Sequence, residues 1–228
     1  MSDNTTIRSI AIIGGTGNLG AGLAMRWAKA GYAITVGSRT AEKAESAAAE
    51  LNAKAGIDSI RGLENAAAAE AADLVVLTVP YAHQQDTLAV IKDGLDGKIL
   101  IDVTVPLMPP KVRTVQVPPS GSAVKAAQEM LGDGVRVVSA FQNVAADHLE
   151  DLDHAIDCDV LVCGNDPDAR EVVVGLAEAA GMRAWHAGRI ENSIVAEALT
   201  STLIFMNARY KISGAGIRIT GEPQAGGD

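Results

Sequence analysis

Aromatic residues are scarce: two Trp, three Tyr and two Phe make up 3% of the 228 residues. The core must therefore be built mostly of Ala, Val, Ile and Leu, which suits an α/β protein with many small helix–sheet contacts. Cysteine is nearly absent too. Cys158 and Cys163 stand five apart, a spacing that fits no common zinc or redox motif, so both read as buried core residues in a reducing, cytoplasmic setting. No apolar run approaches the ~20 residues that span a bilayer. Met1 to Thr6 is polar and lacks the basic and apolar parts of a signal peptide. A net charge of -9 argues against a nucleic-acid partner.

Chemical motifs are missing as well. No G-x-S-x-G elbow occurs, which removes the usual hydrolase reading. Tyr32, Tyr81 and Tyr210 all lack a lysine four residues on, so the proton-transfer dyad of short-chain dehydrogenases is absent. His83, His148, His154 and His186 are scattered and form no metal-like cluster. No metal site is expected. His148, His154 and His186 read as surface or locally hydrogen-bonded residues.

What is present is one stretch, Ile10 to Gly20, reading I-A-I-I-G-G-T-G-N-L-G. Ile10 to Ile13 has the character of a strand buried on both faces. Gly15-x-Gly17-x-x-Gly20 follows, and then a helical pattern, Leu19 to Ala30. In that order the glycines have distinct uses. One makes the tight turn, the next lets backbone approach a pyrophosphate, and the third lets the helix lie close on the strand. The helix N-terminus offers free N–H groups and partial positive charge to an anion. The spacing predicts a dinucleotide site.

The rest of the chain alternates. Strands are expected at Ala33 to Val36, Asp58 to Arg61 (an edge), Leu74 to Val79, Lys98 to Val103, Arg136 to Ala140, Asp159 to Cys163 and Met182 to His186. Helices are expected at Ala41 to Ala55, Glu64 to Ala71, Tyr81 to Ile91, Ser122 to Leu131, Pro167 to Ala180 and Ile190 to Tyr210, the last well buried. Such alternation implies a Rossmann-like, doubly wound parallel sheet with right-handed crossovers. Pro106 to Gly121 holds five prolines and must be a loop. The tail from Glu222 to Asp228 is polar and glycine-rich, and is expected to be disordered.

The end of the second strand selects the cofactor. A site for NAD usually places a carboxylate there to hold the ribose 2′-OH. This chain places Ser38 and Arg39 there, and no carboxylate appears before Glu42. A hydroxyl and a guanidinium suit a 2′-phosphate, which a carboxylate would repel. Lys43 and Thr16 can add contacts. NADP is therefore expected. His83 follows Val79-Pro80-Tyr81 at the end of a strand, where ligands of open α/β sheets bind. An oxidoreductase without an acid–base pair suggests direct hydride transfer between two bound cofactors, the protein aligning two rings and excluding water.

Four segments together resemble the NADP oxidoreductases that use the deazaflavin coenzyme F420. They are Gly14 to Gly20, Val36-Gly37-Ser38-Arg39, Leu77-Thr78-Val79-Pro80 and Val138 to Val144. The resemblance runs from Ile10 to about Ile217 and includes Val162 to Asp166 and Glu197-Ala198-Leu199-Thr200 in the last helix. It implies that Gly15, Thr16, Gly17, Asn18, Leu19, Gly20, Ser38, Arg39, Lys43, Val79, His83 and Ala146 hold NADP. It implies that F420 lies near Ser139, Gln142, Asn143, Val144 and Ala145, and near Ile212 and Gly214, with hydride passing between nicotinamide C4 and deazaflavin C5. An NADP-binding domain, 1–142, and a smaller C-terminal α/β domain, 143–228, would enclose the groove. Separately, the low aromatic content and the apolar last helix leave room for a homodimer interface. The chain departs from the family at Gln142, a position that is often histidine there; glutamine hydrogen-bonds but carries no charge. Ala145 also replaces a different residue. Arg209, Lys211 and Arg218 are candidates to attract the anionic tail of F420. Two other readings stay open because fold alone does not decide function: an NADP-linked reductase of an imine, keto acid or metal, and a non-catalytic NADP sensor.

Overall fold

A computed structural model describes residues 7–221; the tail from Glu222 lies outside them. Eight strands form one sheet in the order β3-β2-β1-β4-β5-β6-β7-β8. They are β1 (Ser9–Ile13), β2 (Ala33–Ser38), β3 (Ile60–Glu64), β4 (Leu74–Leu77), β5 (Ile99–Asp102), β6 (Arg136–Ser139), β7 (Val160–Gly164) and β8 (Ala184–His186). The first six pair in parallel, as the alternation implies. β7 then runs antiparallel to β6 and parallel to β8, so the sheet is mixed. The reason lies in the connection. Between β6 and β7 there is no full crossover helix, only the short α6 (Ala146–Glu150) and a loop, so the chain re-enters at the same edge of the sheet that β6 left.

The helices are α1 (Asn18–Lys29), α2 (Ala41–Ala55), α3 (Asn65–Ala71), α4 (Gln84–Ile91), α5 (Ala123–Leu131), α6, α7 (Pro167–Ala179) and α8 (Ser193–Tyr210). Side chains cap three of them: Thr40 for α2, Ser122 for α5 and Asp166, followed by Pro167, for α7. Short 3-10 turns, Tyr81–His83 and Ile190–Asn192, replace the first residues of two expected helices. Alternation along each strand divides the core in two. Ile10 and Ile12 face a layer with α1, α2 and α7, while Ala11 and Ile13 face one with α3, α4 and α5. The scarcity of aromatics shows here as expected: Trp27 and Phe141 are the two large rings fully inside, packed edge to face at 5.8 Å. Cys158 and Cys163 are buried and free. α8 differs from expectation. Its apolar residues are spread around the helix rather than gathered on one face, and Val195, Phe205 and Tyr210 remain more than half exposed.

α1 binds the chain's two halves. A Cβ on Gly22 would lie 2.5 Å from Leu149 Cβ, so α6 rests directly on the α1 backbone. One turn on, the Arg26 guanidinium donates to five carbonyls: those of His148, Leu149, Asp151, His154 and Ala180. Burial pulls its pKa down, and Asp151 opposes that shift. No other side chain type offers five donors in a planar fork. Arg26→Leu is expected to cost about 2 kcal/mol, since several part-buried carbonyls lose charge-assisted donors at once. Arg26→Lys should recover only a minor part. Urea unfolding of the three proteins checks this.

Candidate functional site

The sheet order reverses direction between β1 and β4, and in open α/β sheets a crevice forms at the carboxyl ends beside such a point. The glycine turn sits there. Gly14 has φ 78° and donates its N–H to the Gly37 carbonyl, which ties the turn to the end of β2. Gly15 and Gly20 serve packing. A Cβ on Gly15 would lie 2.9 Å from the Ile12 carbonyl oxygen, and one on Gly20 would lie 2.8 Å from Gly15 Cα and 2.7 Å from Thr78 Oγ1. Gly17 differs: its Cβ would meet nothing closer than the Gly14 oxygen at 3.7 Å. The protein itself leaves room at Gly17, so a demand for glycine there must come from what approaches the turn from outside. The helix it starts fits an anion. α1 has no side-chain cap, unlike α2, α5 and α7, and no acid in its first turn.

The other residues expected at this site gather around the same edge. Thr16, Gly17 and Asn18 are exposed on the turn, and Leu19 is half-buried. Ser38 ends β2, half-buried, with Arg39 exposed beside it; Arg39 and Lys43 form no ion pair among the described residues. Thr40 Oγ accepts the Lys43 N–H, so both cations flank the start of α2. Val79 follows β4 and packs on the turn, 2.7 Å from where a Gly14 Cβ would stand. His83 is exposed on the 3-10 turn, its N–H donated to Pro80. Ala146 opens α6, which lies on α1.

The second group of expected residues follows β6. Ser139 stands in register with Asp102 on β5, about 14 Å across the sheet from β1 at one strand spacing per step. Ser139, Gln142, Asn143 and Val144 are buried and Ala145 is half-buried. The chain's end returns to them. Gly214 has φ 74°, and a Cβ there would lie 2.9 Å from Ala145 and 2.3 Å from His148. Ile212 is exposed beside it. Arg218 is engaged by Asp157, whereas Arg209 and Lys211 are exposed and unpaired among the described residues.

Sequence patterns did not reveal a polar knot behind this segment. The fully buried Asp102 carboxylate accepts from Gln84 Nε2 at 2.6 Å and from the Thr104 N–H at 2.9 Å. Glu197 of α8 accepts the N–H groups of Ala123 and Val124 at 2.8 and 3.1 Å, where α5 begins. Thr200, one turn further on, donates to the Gln142 carbonyl at 2.8 Å. Burial raises the Asp102 pKa. Burial first, and then the nearby Asp102 charge, push Glu197 up to about 7 against the pull of the two N–H groups. The signals were there: Glu197 is the lone carboxylate in an apolar helix, and Asp102 the lone one ending an apolar strand.

A glycine turn at the reversal point, an uncapped helix and a serine–arginine strand end define a Rossmann-type dinucleotide-binding protein. Comparison with known proteins specifies it further. Residues 9–106 match the family model described as NADP oxidoreductase coenzyme F420-dependent. The chain is 47% identical over 219 residues to an F420-dependent NADP reductase of Methanocaldococcus jannaschii, covering 92% of this chain and 97% of the relative. It is 43% identical over 225 residues to one of Methanothermobacter thermautotrophicus, covering 96% and 97%. A crystal structure of a putative F420-dependent NADP reductase from an Arthrobacter superposes with a TM-score of 0.80 at 27% identity, covering 95% of this chain and all of that one. The chain belongs to the F420-dependent NADP reductase family.

Two expectations follow from this geometry. Gly17→Val should weaken dinucleotide binding by about 100-fold or more while the unfolding midpoint stays at the wild-type value. Gly20→Val should lower the midpoint itself, because its Cβ has no room. Titration calorimetry and thermal melts separate the two. The second concerns pH. Glu197 is protonated more readily folded than unfolded, so its contribution to stability is complete below about pH 4.5 and falls as pH rises through about 7. The loss amounts to about 3 kcal/mol, and Glu197→Gln should flatten it in urea unfolding series from pH 4.5 to 8.

Proposed function

We propose that the chain transfers hydride between NADP(H) and coenzyme F420. One observation carries the reading: the phosphate-ready turn and the segment Ser139 to Ala145, buried as far as Val144, share one edge of one sheet, in a chain aligned with F420-dependent NADP reductases over nearly its whole length. When bound, the nicotinamide and deazaflavin rings supply the redox chemistry. The chain's own residues bind, orient and shield. Gly17 and the α1 N-terminus receive the diphosphate, with Thr16, Asn18 and Leu19 around it. Ser38, Arg39 and Lys43 receive the 2′-phosphate. Val79, His83 and Ala146 border the nucleotide. Ser139, Gln142, Asn143, Val144, Ala145, Ile212 and Gly214 border the deazaflavin, and Arg209 and Lys211 offer positive charge to its tail. Residues from 143 onward act as the smaller unit closing the groove. The orphaned oxygens at Ser139, Gln142 and Asn143 fit a polar ring edge better than an apolar substrate.

The absence of an acid–base dyad is consistent with alignment being the whole task. The described residues contain no helix long and apolar enough to cross a membrane. With two free buried thiols, that agrees with work in a reducing cytoplasm. The open apolar face of α8, with Val195 and Phe205, suits a homodimer contact.

Mixing the protein with NADPH and oxidised F420 should bleach the deazaflavin's visible band; folded protein that leaves it unchanged would remove the reading. Arg39→Glu should weaken NADPH by about 100-fold and NADH by less than about threefold, because it replaces the phosphate's partner with a repelling charge. Equal losses would mean that Arg39 does not touch the 2′-phosphate.

A further inference from the structure

The side chain of Gln142 has a determined orientation. Its Nε2 lies 2.8 Å from the backbone carbonyl of Asp102. A carbonyl only accepts, so the NH2 end must face it, and the usual ambiguity of a glutamine amide disappears. Oε1 therefore points the other way. It is buried and has no donor among the described residues. Asn143 repeats the polarity. Its Nδ2 donates to the Asp159 carbonyl at 2.9 Å and to Cys158 Sγ at 3.2 Å, and its Oδ1 is left without a partner. Two consecutive amides thus spend their donors on the protein and keep acceptors only. Ser139 Oγ, at the end of β6, is unpartnered too.

The segment is also held still. Thr200 Oγ1 donates to the Gln142 carbonyl. The strand end carrying the Asp102 carbonyl is fixed in turn by Gln84 and Thr104 on its carboxylate. Phe141 adopts φ 71°, a conformation that bulky residues rarely take, and its ring is locked against Trp27. A buried acceptor so fixed carries an unrecovered desolvation cost. A ligand donor removes that cost, while a ligand acceptor at the same place is rejected, the kind of discrimination that hydrogen-bonding sites achieve best.

We propose that Gln142 determines specificity for the second substrate by accepting, at Oε1, a hydrogen bond from a ring N–H, with Asp102 and Thr200 as its positioning residues. The inference rests on the reading of a deazaflavin substrate and narrows it: the site selects a planar heterocycle that presents an amide-like N–H edge. Neither charge nor protonation of residue 142 is needed for this contact.

The test is binding, measured apart from turnover. Oxidised deazaflavin carries its ring N–H at N3, so the probes are that ring and its N3-methyl derivative, with NADP+ as a third ligand. Wild-type protein should bind the N–H ring about tenfold or more tighter than the methylated one. Gln142→Met should bind both rings alike, with NADP+ affinity unchanged. Should Gln142→Met fail to fold, Gln142→Glu replaces it. Its neutral carboxyl keeps both the donor toward Asp102 and the acceptor, so discrimination should persist at low pH, where the carboxyl is protonated, and its loss there would overturn the inference. Equal discrimination by wild type and Gln142→Met would overturn the inference and leave Oε1 to an internal water. Parallel loss of NADP+ binding would overturn it by showing a general structural defect. Wild-type protein that binds NADP+ but neither ring would instead strike at the deazaflavin reading itself, and the inference with it.

Discussion

Contact between backbone and backbone at the glycine turn is the constraint from which the rest of this molecule follows. With no Cβ at Gly15 or Gly20, α1 starts within reach of the ends of β1 and β4. That placement alone aims its free N–H groups at the crevice where the sheet order reverses. The same helix then presents Gly22 and Arg26 to α6 and the loop after it. One rigid element thus fixes both the turn suited to a diphosphate and the segment leading away from β6. A shift of α1 would move both together, so their relative geometry is protected.

The far side of the site is fixed by a different kind of force. The apolar residues of α8 are spread around the helix, which has no strongly preferred face to bury. Packing alone would leave its rotation and register weakly determined. Glu197 and Thr200, one turn apart, remove that freedom by holding the start of α5 and the Gln142 carbonyl. The buried carboxylate lowers stability near neutral pH. What it provides instead is a definite position for the loop that borders the second substrate. A buried polar group that sets register at a cost in stability is the best attested use of such groups.

Sequence periodicity made the alternating elements and the glycine turn readable, because Ile10 to Gly20 combines a strand period, special backbone residues and a helix period within eleven positions. The position of Ser38 and Arg39 at the end of β2 was readable because their distance from the turn is set by the strand–helix–strand geometry. The reversal of β7 was not, since a strand's direction leaves no mark on its own residues and depends on how the connection returns. The exposure of α8 was missed because apolar content indicates what a helix is able to bury, not where the fold leaves it. Arg26 and Asp102 looked like isolated charges in apolar runs. Their partners are mostly backbone atoms distant in sequence, or in the case of Gln84 an amide on another element, and no spacing rule reports these.

Electrostatics link the two halves of the site. With a net charge of -9, the chain as a whole repels anions, yet both of its proposed ligands are anionic. Acidic residues are not spread evenly. Residues 103–128, which leave the end of β5, and residues 198–221, most of α8 and the returning strap, contain no Asp or Glu at all, and each carries three Lys or Arg. Exposed charges farther away than about 10 Å are largely screened at moderate salt. What an approaching anion meets at close range is therefore set by these local stretches and by Arg39 and Lys43, while the acidic remainder governs solubility. Arg218 is already matched by Asp157, so within the returning strap the uncompensated charge falls to Arg209 and Lys211, at the end of the helix that also fixes Gln142. Positive field and acceptor geometry are thus delivered by one element, and a ligand able to use both must join an anionic chain to a ring with an N–H edge.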